Sequence, residues 1–221
     1  DYVLANAIVG LLGWLAAVLT LAHFARREGG DRAALLAVTA FTGSAFASAS
    51  FSVNLPSGWL FVVTPWAIDA FLRGRLVAAT LLTALACYTH LGGFLTAPVG
   101  LALAALLPMD APRSRGRGRV AALLRVGAGV ALLTAPYWIH FLRGLPWYVG
   151  RKGDSAWMIE PLLLAFWLAG LATAVRSRRT FLVAWGLAPL AWLLQDASRF
   201  LLQGTLAGAA LGGVAIAGWL E

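Results

Sequence analysis

Apolar residues run along this chain in nine blocks that short polar segments separate. The blocks cover residues 3–25, 33–53, 58–72, 75–89, 93–107, 119–139, 157–175, 180–194 and 200–220. Most are close to the length that a helix rising about 1.5 Å per residue needs to cross a hydrocarbon layer of about 30 Å. No period-two alternation typical of strands runs through these Leu- and Ala-rich blocks. The pattern predicts an all-α, polytopic transmembrane helical bundle of about nine helices.

The polar interruption HLGG, residues 90–93, determines how many times the chain crosses. Without it, residues 75–107 would form one helix about 48 Å long, far longer than the hydrocarbon layer is thick. Two adjacent glycines weaken a helix, whereas Pro98 is tolerated in the first turns of a new one, where the N–H that it lacks matters little. We therefore predict that the chain reverses direction at residues 90–93, between two short helices.

Arginine and lysine residues are distributed unevenly among the polar segments. Twelve of the seventeen lie in four segments: RREGGDR (26–32), RGR (73–75), RSRGRGR (113–119) and RSRR (176–179). With a reversal at residues 90–93, all four fall on the same side. Cytoplasmic loops collect Lys and Arg, so we predict an outer N-terminus and a cytoplasmic C-terminus. RSRGRGR is expected to be a flexible loop near anionic lipid.

Composition narrows the class of protein. The chain has 221 residues, of which 61% are hydrophobic and 12% charged, and one soluble core has too little interior for so many apolar side chains. The net charge of +8 lies mainly in loops that set topology, so it does not indicate nucleic acid as a partner. We expect a multi-pass integral protein of the plasma (cytoplasmic) membrane, with a single transmembrane helical domain over residues 1–221.

Chemically varied side chains lie on the side opposite the basic segments. They are Asn54, His90, His140, Arg143, Arg151, Lys152, Asp154, Asp196 and Arg199. The imidazole of His90 both donates and accepts hydrogen bonds, and the guanidinium of Arg199 is able to hold a phosphate through two parallel bonds. A helix cap at His90 and an Asp196–Arg199 pair explain these residues without a ligand. An aromatic belt at the headgroup level is the other reading of segment 140–156.

Two further acidic residues lie close to the ends of predicted helices. Asp69 precedes Arg73 by four residues, and we expect the two side chains to form an ion pair at the cytoplasmic end. Glu160 has no basic residue within the following turn, which leaves a role in a polar outer cavity open.

From Phe51 to Leu107 the order of features resembles the middle of the GT-C type glycosyltransferases, polytopic membrane enzymes that use polyprenyl-phosphate sugars. An outer turn with Asn54 precedes a helix, an arginine-rich inner turn and a short helix that ends in the dipeptide TH. The segment SRFLLQGTLAGAALGGVAIAGWL is similar to the late helices of these enzymes, which begin with an arginine on the outer face. The likeness is one of architecture and extends over most of the chain.

The resemblance implies transfer of a sugar from a polyprenyl-phosphate carrier to an acceptor at the outer face. It implies that His90 and Arg199 contact the lipid-linked phosphate and that Asn54 lines the same cavity. Further substrate-binding candidates are His140, Arg143 and Lys152. The expected partners are the polyprenyl-linked sugar and membrane lipid.

In these enzymes the acidic catalytic residues sit in a first outer loop, which this chain does not contain. We therefore expect a fragment that lacks the first helix and the first outer loop, with the catalytic acid upstream of Asp1. Weaker candidates for the base within the chain are Asp154, Glu160 and Asp196. The sequence has no metal-ligand motif, and a divalent metal stays open as a cofactor.

Three other classes stay open. A transporter or lipid flippase also carries ionisable groups in the membrane, usually with paired broken helices in two halves, and this sequence has one such break. The segment THLGG resembles the histidine helix of rhomboid intramembrane proteases, although Ser44 lies in TGSAF and not in their GxSG motif. A non-catalytic scaffold would be indifferent to substitution of every outer polar residue.

Overall fold

A computed structural model of the chain describes residues 2–44, 56–89, 93–110, 113–149, 161–194 and 197–221. Within these ranges the chain is helical and contains no strand, which confirms the predicted all-α class. The eight α-helices are α1 (Tyr2–Thr42), α2 (Pro56–Leu72), α3 (Leu76–Thr89), α4 (Gly93–Leu106), α5 (Arg113–Val149), α6 (Pro161–Arg176), α7 (Thr180–Leu187) and α8 (Ala197–Trp219). A 3₁₀-helix, Ala188–Leu194, continues α7.

Helix α1 contains the first apolar block and residues 33–42 of the second. Its backbone leaves the helical region at one residue, Gly30, where φ is 80° and ψ is −173°. A residue with a Cβ would be strained there, and glycine is not. The polar segment 26–32 is therefore helical on both sides of a single break and is not a loop as predicted. The break falls in the polar segment where the sequence separates the first two helices, so the described chain has eight α-helices with α1 counted as one and nine with its two parts counted separately.

Helix α8 forms the centre of the bundle, packed between α1 and α6. Its glycines permit close approach: a Cβ on Gly213 would lie 2.6 Å from the carbonyl oxygen of Ala33 in α1. On the other side, a Cβ on Gly170 of α6 would lie 2.3 Å from the carbonyl carbon of Leu211. Small residues at contacts let helix backbones pack closely, a device common in membrane bundles.

The predicted reversal between α3 and α4 is confirmed by contacts at the adjoining ends of both helices. The hydroxyl of Tyr88, near the end of α3, donates to the carbonyl of Leu133 in α5 at 2.8 Å. The ring of Phe94, near the start of α4, stacks on Tyr137 with centroids 5.3 Å apart. Beyond the other end of α4, Asp110 accepts from Arg119 near the start of α5 at 3.1 Å. Helix α4 therefore runs back along α5 toward its start, and residues 75–107 do not form one continuous helix.

The four basic segments come together at the opposite end of the bundle. Three contacts at or beside these segments join them. Arg27 pairs with the carboxylate of Asp69, and Arg179 donates to the carbonyl of Glu28. The hydroxyl of Thr180 donates to the carboxylate of Asp110 at 2.7 Å. We call this the basic end. The opposite end, where α3 and α4 adjoin, is called the aromatic end after Tyr88, Phe94, Tyr137 and Trp138.

Helix α5 is much longer than the apolar block 119–139 that predicted it. It begins at Arg113 and ends at Val149, so RSRGRGR and most of the segment predicted as a long outer loop are helical. At the start of α5 the apolar pattern missed the turns of RSRGRGR because it marks apolar residues only, whereas arginine is itself a good helix former. At its end the helix continues through Gly144 and Pro146, two residue types that usually interrupt a helix.

Two stretches of helix are long and apolar enough to cross a membrane: Val3–Thr42 in α1 and Gly118–Ile139 in α5. Length and composition alone define them. The other apolar helices of the described chain have 10–17 residues. Helices α3 and α4 have 14 residues each, about 21 Å at 1.5 Å per residue, so each is shorter than the hydrocarbon layer.

Candidate functional site

Most residues that the sequence nominated fall in segments that the structure does not describe. Those outside the described residues are Asn54, His90, Arg151, Lys152, Asp154, Glu160 and Asp196. His140 and Arg199 lie on α5 and α8, and their side chains are outside the description as well. Arg143 is exposed and lies on α5, so the prediction that it lies in an outer loop is wrong. Its role in binding substrate stays a prediction. The meeting of His90, Arg199 and Asn54 in one cavity stays a prediction.

A cleft of about 260 Å³ lies between α3, α4 and α5, and we call it the α5 cleft. Its wall on α5 extends from Leu123 to Trp138, about 22 Å along the helix axis at 1.5 Å per residue. Phe94 and Leu101 of α4 supply part of the opposite wall. An elongated apolar slot of this kind suits a hydrocarbon chain, since ligand pockets are lined mainly by apolar and aromatic side chains.

Two threonines, Thr83 and Thr134, are among the residues that line the α5 cleft. Thr134 donates to the carbonyl of Val130 at 2.7 Å, so its hydroxyl is satisfied within α5. The hydroxyl of Thr83 is buried and has no hydrogen-bond partner among the described residues. An unpaired buried hydroxyl costs about 1 to 3 kcal/mol, and that of Thr83 is enclosed by protein atoms.

The α5 cleft reaches the aromatic end of the bundle. The rings of Phe94 and Trp138, both lining residues, have centroids 4.5 Å apart. Tyr137 lies beside them, with its ring 5.8 Å from that of Tyr88 in an edge-to-face arrangement. Tryptophan and tyrosine are enriched where hydrocarbon meets headgroups, because one end of each side chain is apolar and the other polar.

At the basic end, the carboxylate of Asp69 is the centre of a partly buried ionic cluster. It accepts from Nε of Arg73 at 3.0 Å, which confirms the ion pair that the four-residue spacing predicts. It also accepts from Arg27, which lies 42 residues earlier and which the sequence pattern did not connect with it. Arg27 donates in addition to Glu28 at 2.7 Å.

Aromatic rings cover the guanidinium of Arg27. Its central carbon lies 4.9 Å from the ring centroid of Phe24 and 4.4 Å from that of Phe181 in α7. Both distances are within the range of a cation–π interaction. The i, i+3 spacing of Phe24 and Arg27 is the only part of this arrangement that is visible in the sequence.

A second cavity, of about 240 Å³, adjoins this cluster, and we call it the basic-end cavity. Asp69, Arg73 and Arg75 form its charged side. His23 and Trp66 form another wall, with their rings stacked at 4.9 Å. The indole N–H of Trp66 is already used, because it donates to the hydroxyl of Thr20 at 3.0 Å.

Asp110 joins the turn after α4 to α5 and α7. Partial burial raises the pKa of its carboxyl, but the hydrogen bond from Thr180 and the charge and hydrogen bond of Arg119 outweigh that effect. The pKa of Asp110 therefore lies below its ordinary value. Arg119 donates to it at 3.1 Å, and the backbone N–H of Met109 donates to the Thr180 hydroxyl at 2.9 Å.

No group of three or more His, Cys, Asp or Glu residues is arranged to hold a metal ion in the part of the chain that the structure describes. Comparison of the chain with protein-family models, with curated proteins and with solved structures gives no match. The features that bear on function are therefore the α5 cleft, the basic end and the residues that the sequence nominated.

Proposed function

We propose that this chain is a multi-pass integral protein of the cytoplasmic membrane. The support is that large apolar side chains face outward while small ones fill much of the interior. On α3 the side chains of Val77, Leu81 and Leu85 are 76%, 55% and 49% exposed, at four-residue spacing. About half of the buried apolar residues in the described chain are alanine. In water, such exposed leucine stripes would be costly or would mark an interface, whereas a lipid surface accommodates them.

The proposed orientation places the basic end in the cytoplasm. Twelve of the seventeen Lys and Arg residues lie in the four segments that meet there, and cytoplasmic loops are rich in these residues. Helix α5 passes from Arg119 at the basic end to Trp138 at the aromatic end, which is then the outer face. The apolar stretch Gly118–Ile139 connects the two.

We further propose that the protein transfers a sugar from a polyprenyl-phosphate carrier to an acceptor at the outer face. The single observation that carries this proposal is the α5 cleft, an apolar slot that leads to the end where α3 and α4 adjoin. A polyprenyl chain is a long, methyl-branched hydrocarbon ligand that suits an elongated apolar slot. His90 follows α3 directly in the sequence and, with Arg199, is the proposed phosphate ligand.

In the proposed reaction, an acceptor hydroxyl attacks the anomeric carbon of the sugar as its proton passes to a carboxylate base. The bond from the anomeric carbon to the phosphate oxygen breaks, and the polyprenyl phosphate leaves with the electron pair. A guanidinium and an imidazole at the phosphate would stabilise the charge that develops on it. Within the chain, the candidates for this base are Asp154, Glu160 and Asp196.

A pair of glycine variants tests the role of the α5 cleft. Gly127 lines the cleft and Gly118 does not, and a Cβ at either position meets open space. Gly127→Leu should fill the slot and lower kcat/KM for the polyprenyl donor by about tenfold or more, as expected when a hydrophobic pocket loses room. Gly118→Leu is the matched control and should leave transfer unchanged. Equal activity of the two variants would remove the cleft from the proposal.

Substitution of His90 and Arg199 by alanine tests the proposed phosphate site. In the full-length protein, both variants should lose most of their sugar transfer because two charge-stabilising donors are removed. Undiminished turnover in both would overturn this assignment. Flux of a lipid-linked substrate in proteoliposomes, without any glycosylated product, would favour a transporter or flippase instead.

A further inference from the structure

We propose that the basic-end cavity binds the phosphate headgroup of an anionic phospholipid in the cytoplasmic leaflet. The proposal rests on the membrane embedding proposed above and not on the sugar transfer. The basic-end cavity shares no lining residue with the α5 cleft, so the two sites can be tested separately.

The charge around the basic-end cavity is not balanced within the described chain. The carboxylate of Asp69 already accepts from Arg27 and Arg73. Arg75 lines the same cavity, is exposed, and makes no ion pair or side-chain hydrogen bond with any residue that the structure describes. Among the residues that line the cavity, the two arginines Arg73 and Arg75 outnumber the one carboxylate, that of Asp69. A surplus of positive charge remains at the rim of the cavity.

Guanidinium groups match a phosphate both in charge and in geometry. Arg73 keeps 47% of its side chain exposed despite its ion pair, so it has further N–H groups to offer beside those of Arg75. His23, exposed on the other wall, has no hydrogen bond to any described residue and is able to donate one. These three donors surround the space that the proposed phosphate would occupy.

The remaining wall of the cavity is apolar, as a lipid and not a free anion would require. Trp66 is exposed, and Ala78 and Leu82 of α3 line the same space. The exposed side chains of Val77 and Leu81 lie next to these positions along α3. A phosphate held by the arginines would thus have its acyl chains directed along the lipid-exposed face of α3. Basic pockets between helices on the cytoplasmic side are typical sites for anionic headgroups.

The inference is tested with the full chain in nanodiscs of phosphatidylcholine, with and without phosphatidylglycerol. Retention of phosphatidylglycerol is measured by native mass spectrometry, and the melting temperature is measured in both lipids. The wild-type chain should retain phosphatidylglycerol and melt at a higher temperature in its presence. Arg75→Gln should bind this lipid about fivefold more weakly, which corresponds to about 1 kcal/mol for one basic residue at a membrane surface.

Arg176→Gln is the matched control, because Arg176 is exposed at the same end but lies outside the cavity. It should retain phosphatidylglycerol like the wild type. Equal losses in the two variants would reduce the effect to general surface charge and overturn the site. Inorganic phosphate added to phosphatidylcholine nanodiscs is the second arm. If it raises the melting temperature as much as phosphatidylglycerol does, the cavity binds phosphate and not lipid, and the proposal fails.

Discussion

The carboxylate of Asp69 holds two guanidinium groups from different parts of the chain while only 13% of its side chain is exposed. Because Arg27 is also covered by Phe24 and Phe181, loss of the Asp69 charge would leave a partly buried cation without its main partner. Removing one member of a buried ion pair is costly for this reason. The cluster therefore fixes α1 to α2 at the basic end.

We predict that Asp69→Asn lowers the free energy of unfolding by about 1 to 3 kcal/mol, the cost of an unsatisfied buried group. Asp31→Asn is the control, since the pair of Asp31 with Arg26 is 79% exposed on its acidic side and should contribute little. Unfolding in mixed detergent micelles, followed by tryptophan fluorescence, measures both. Equal effects would mean that the Asp69 cluster contributes nothing beyond a surface pair.

Asp110 gives the basic end a dependence on pH. Its pKa is below the ordinary value, so folding favours the charged carboxylate. That contribution is fully present above the ordinary pKa of about 4 and is lost as the pH falls through the lower folded value. Asp110→Asn should therefore be less stable than the wild type at neutral pH. The difference between their melting temperatures should shrink below about pH 4, and a constant difference would contradict the prediction.

At the level of single residues, the sequence predicted what neighbouring positions on one helix decide. Asp69 and Arg73 are one turn apart, so their pairing follows from spacing alone. The contact of Asp69 with Arg27 joins two helices, and no periodic pattern encodes it. The outer candidates His90 and Asn54 lie outside the described residues, and their roles stay predictions.

Among the helices, α8 is the one whose packing depends most on glycine residues. A Cβ on Gly213 would meet the backbone oxygen of Ala33 and, at 2.8 Å, the backbone nitrogen of Ala37. Neither atom is able to move without moving α1 itself. The contact between α8 and α1 thus requires glycine at this position.

We predict that Gly213→Ala lowers the free energy of unfolding by about 1 to 3 kcal/mol, as overpacking against a fixed backbone does. Gly218→Ala lies on the same helix, where a Cβ meets open space. It should be neutral or stabilising by up to about 1 kcal/mol, because alanine is the better helix former. Detergent unfolding of the two variants compares them directly, and a neutral Gly213→Ala would disprove the close contact.

Helix boundaries were predicted well where glycine or proline marks them and poorly elsewhere. The two glycines of HLGG separated α3 from α4 because glycine weakens a helix. Gly30 also breaks a helix, but the residues on both sides of it stay helical, so the loop predicted over 26–32 does not form. Helix α5 begins in the arginine-rich segment RSRGRGR and continues through Gly144 and Pro146, neither of which the sequence pattern counted as helix.

For the whole molecule, the proposed orientation predicts the accessibility of its two ends. Cys87 is the one cysteine of the chain and is buried, so Cys87→Ala provides a silent background. In that background, Arg143→Cys should react with a membrane-impermeant maleimide in intact cells, because Arg143 is exposed on the part of α5 beyond Trp138. Arg176→Cys, at the basic end, should react only after the membrane is permeabilised. The reverse labelling would invert the orientation.

The sequence by itself determined the helical class, the separation of α3 from α4 and the Asp69–Arg73 pair. Each depends on residues within a few turns of one another: the length of an apolar run, adjacent glycines, or a four-residue spacing. Only the tertiary structure decided the central place of α8, the contact of Arg27 with Asp69 and the α5 cleft. These depend on which helix faces come together, and that is set by packing between residues far apart in the chain, which a linear pattern does not record.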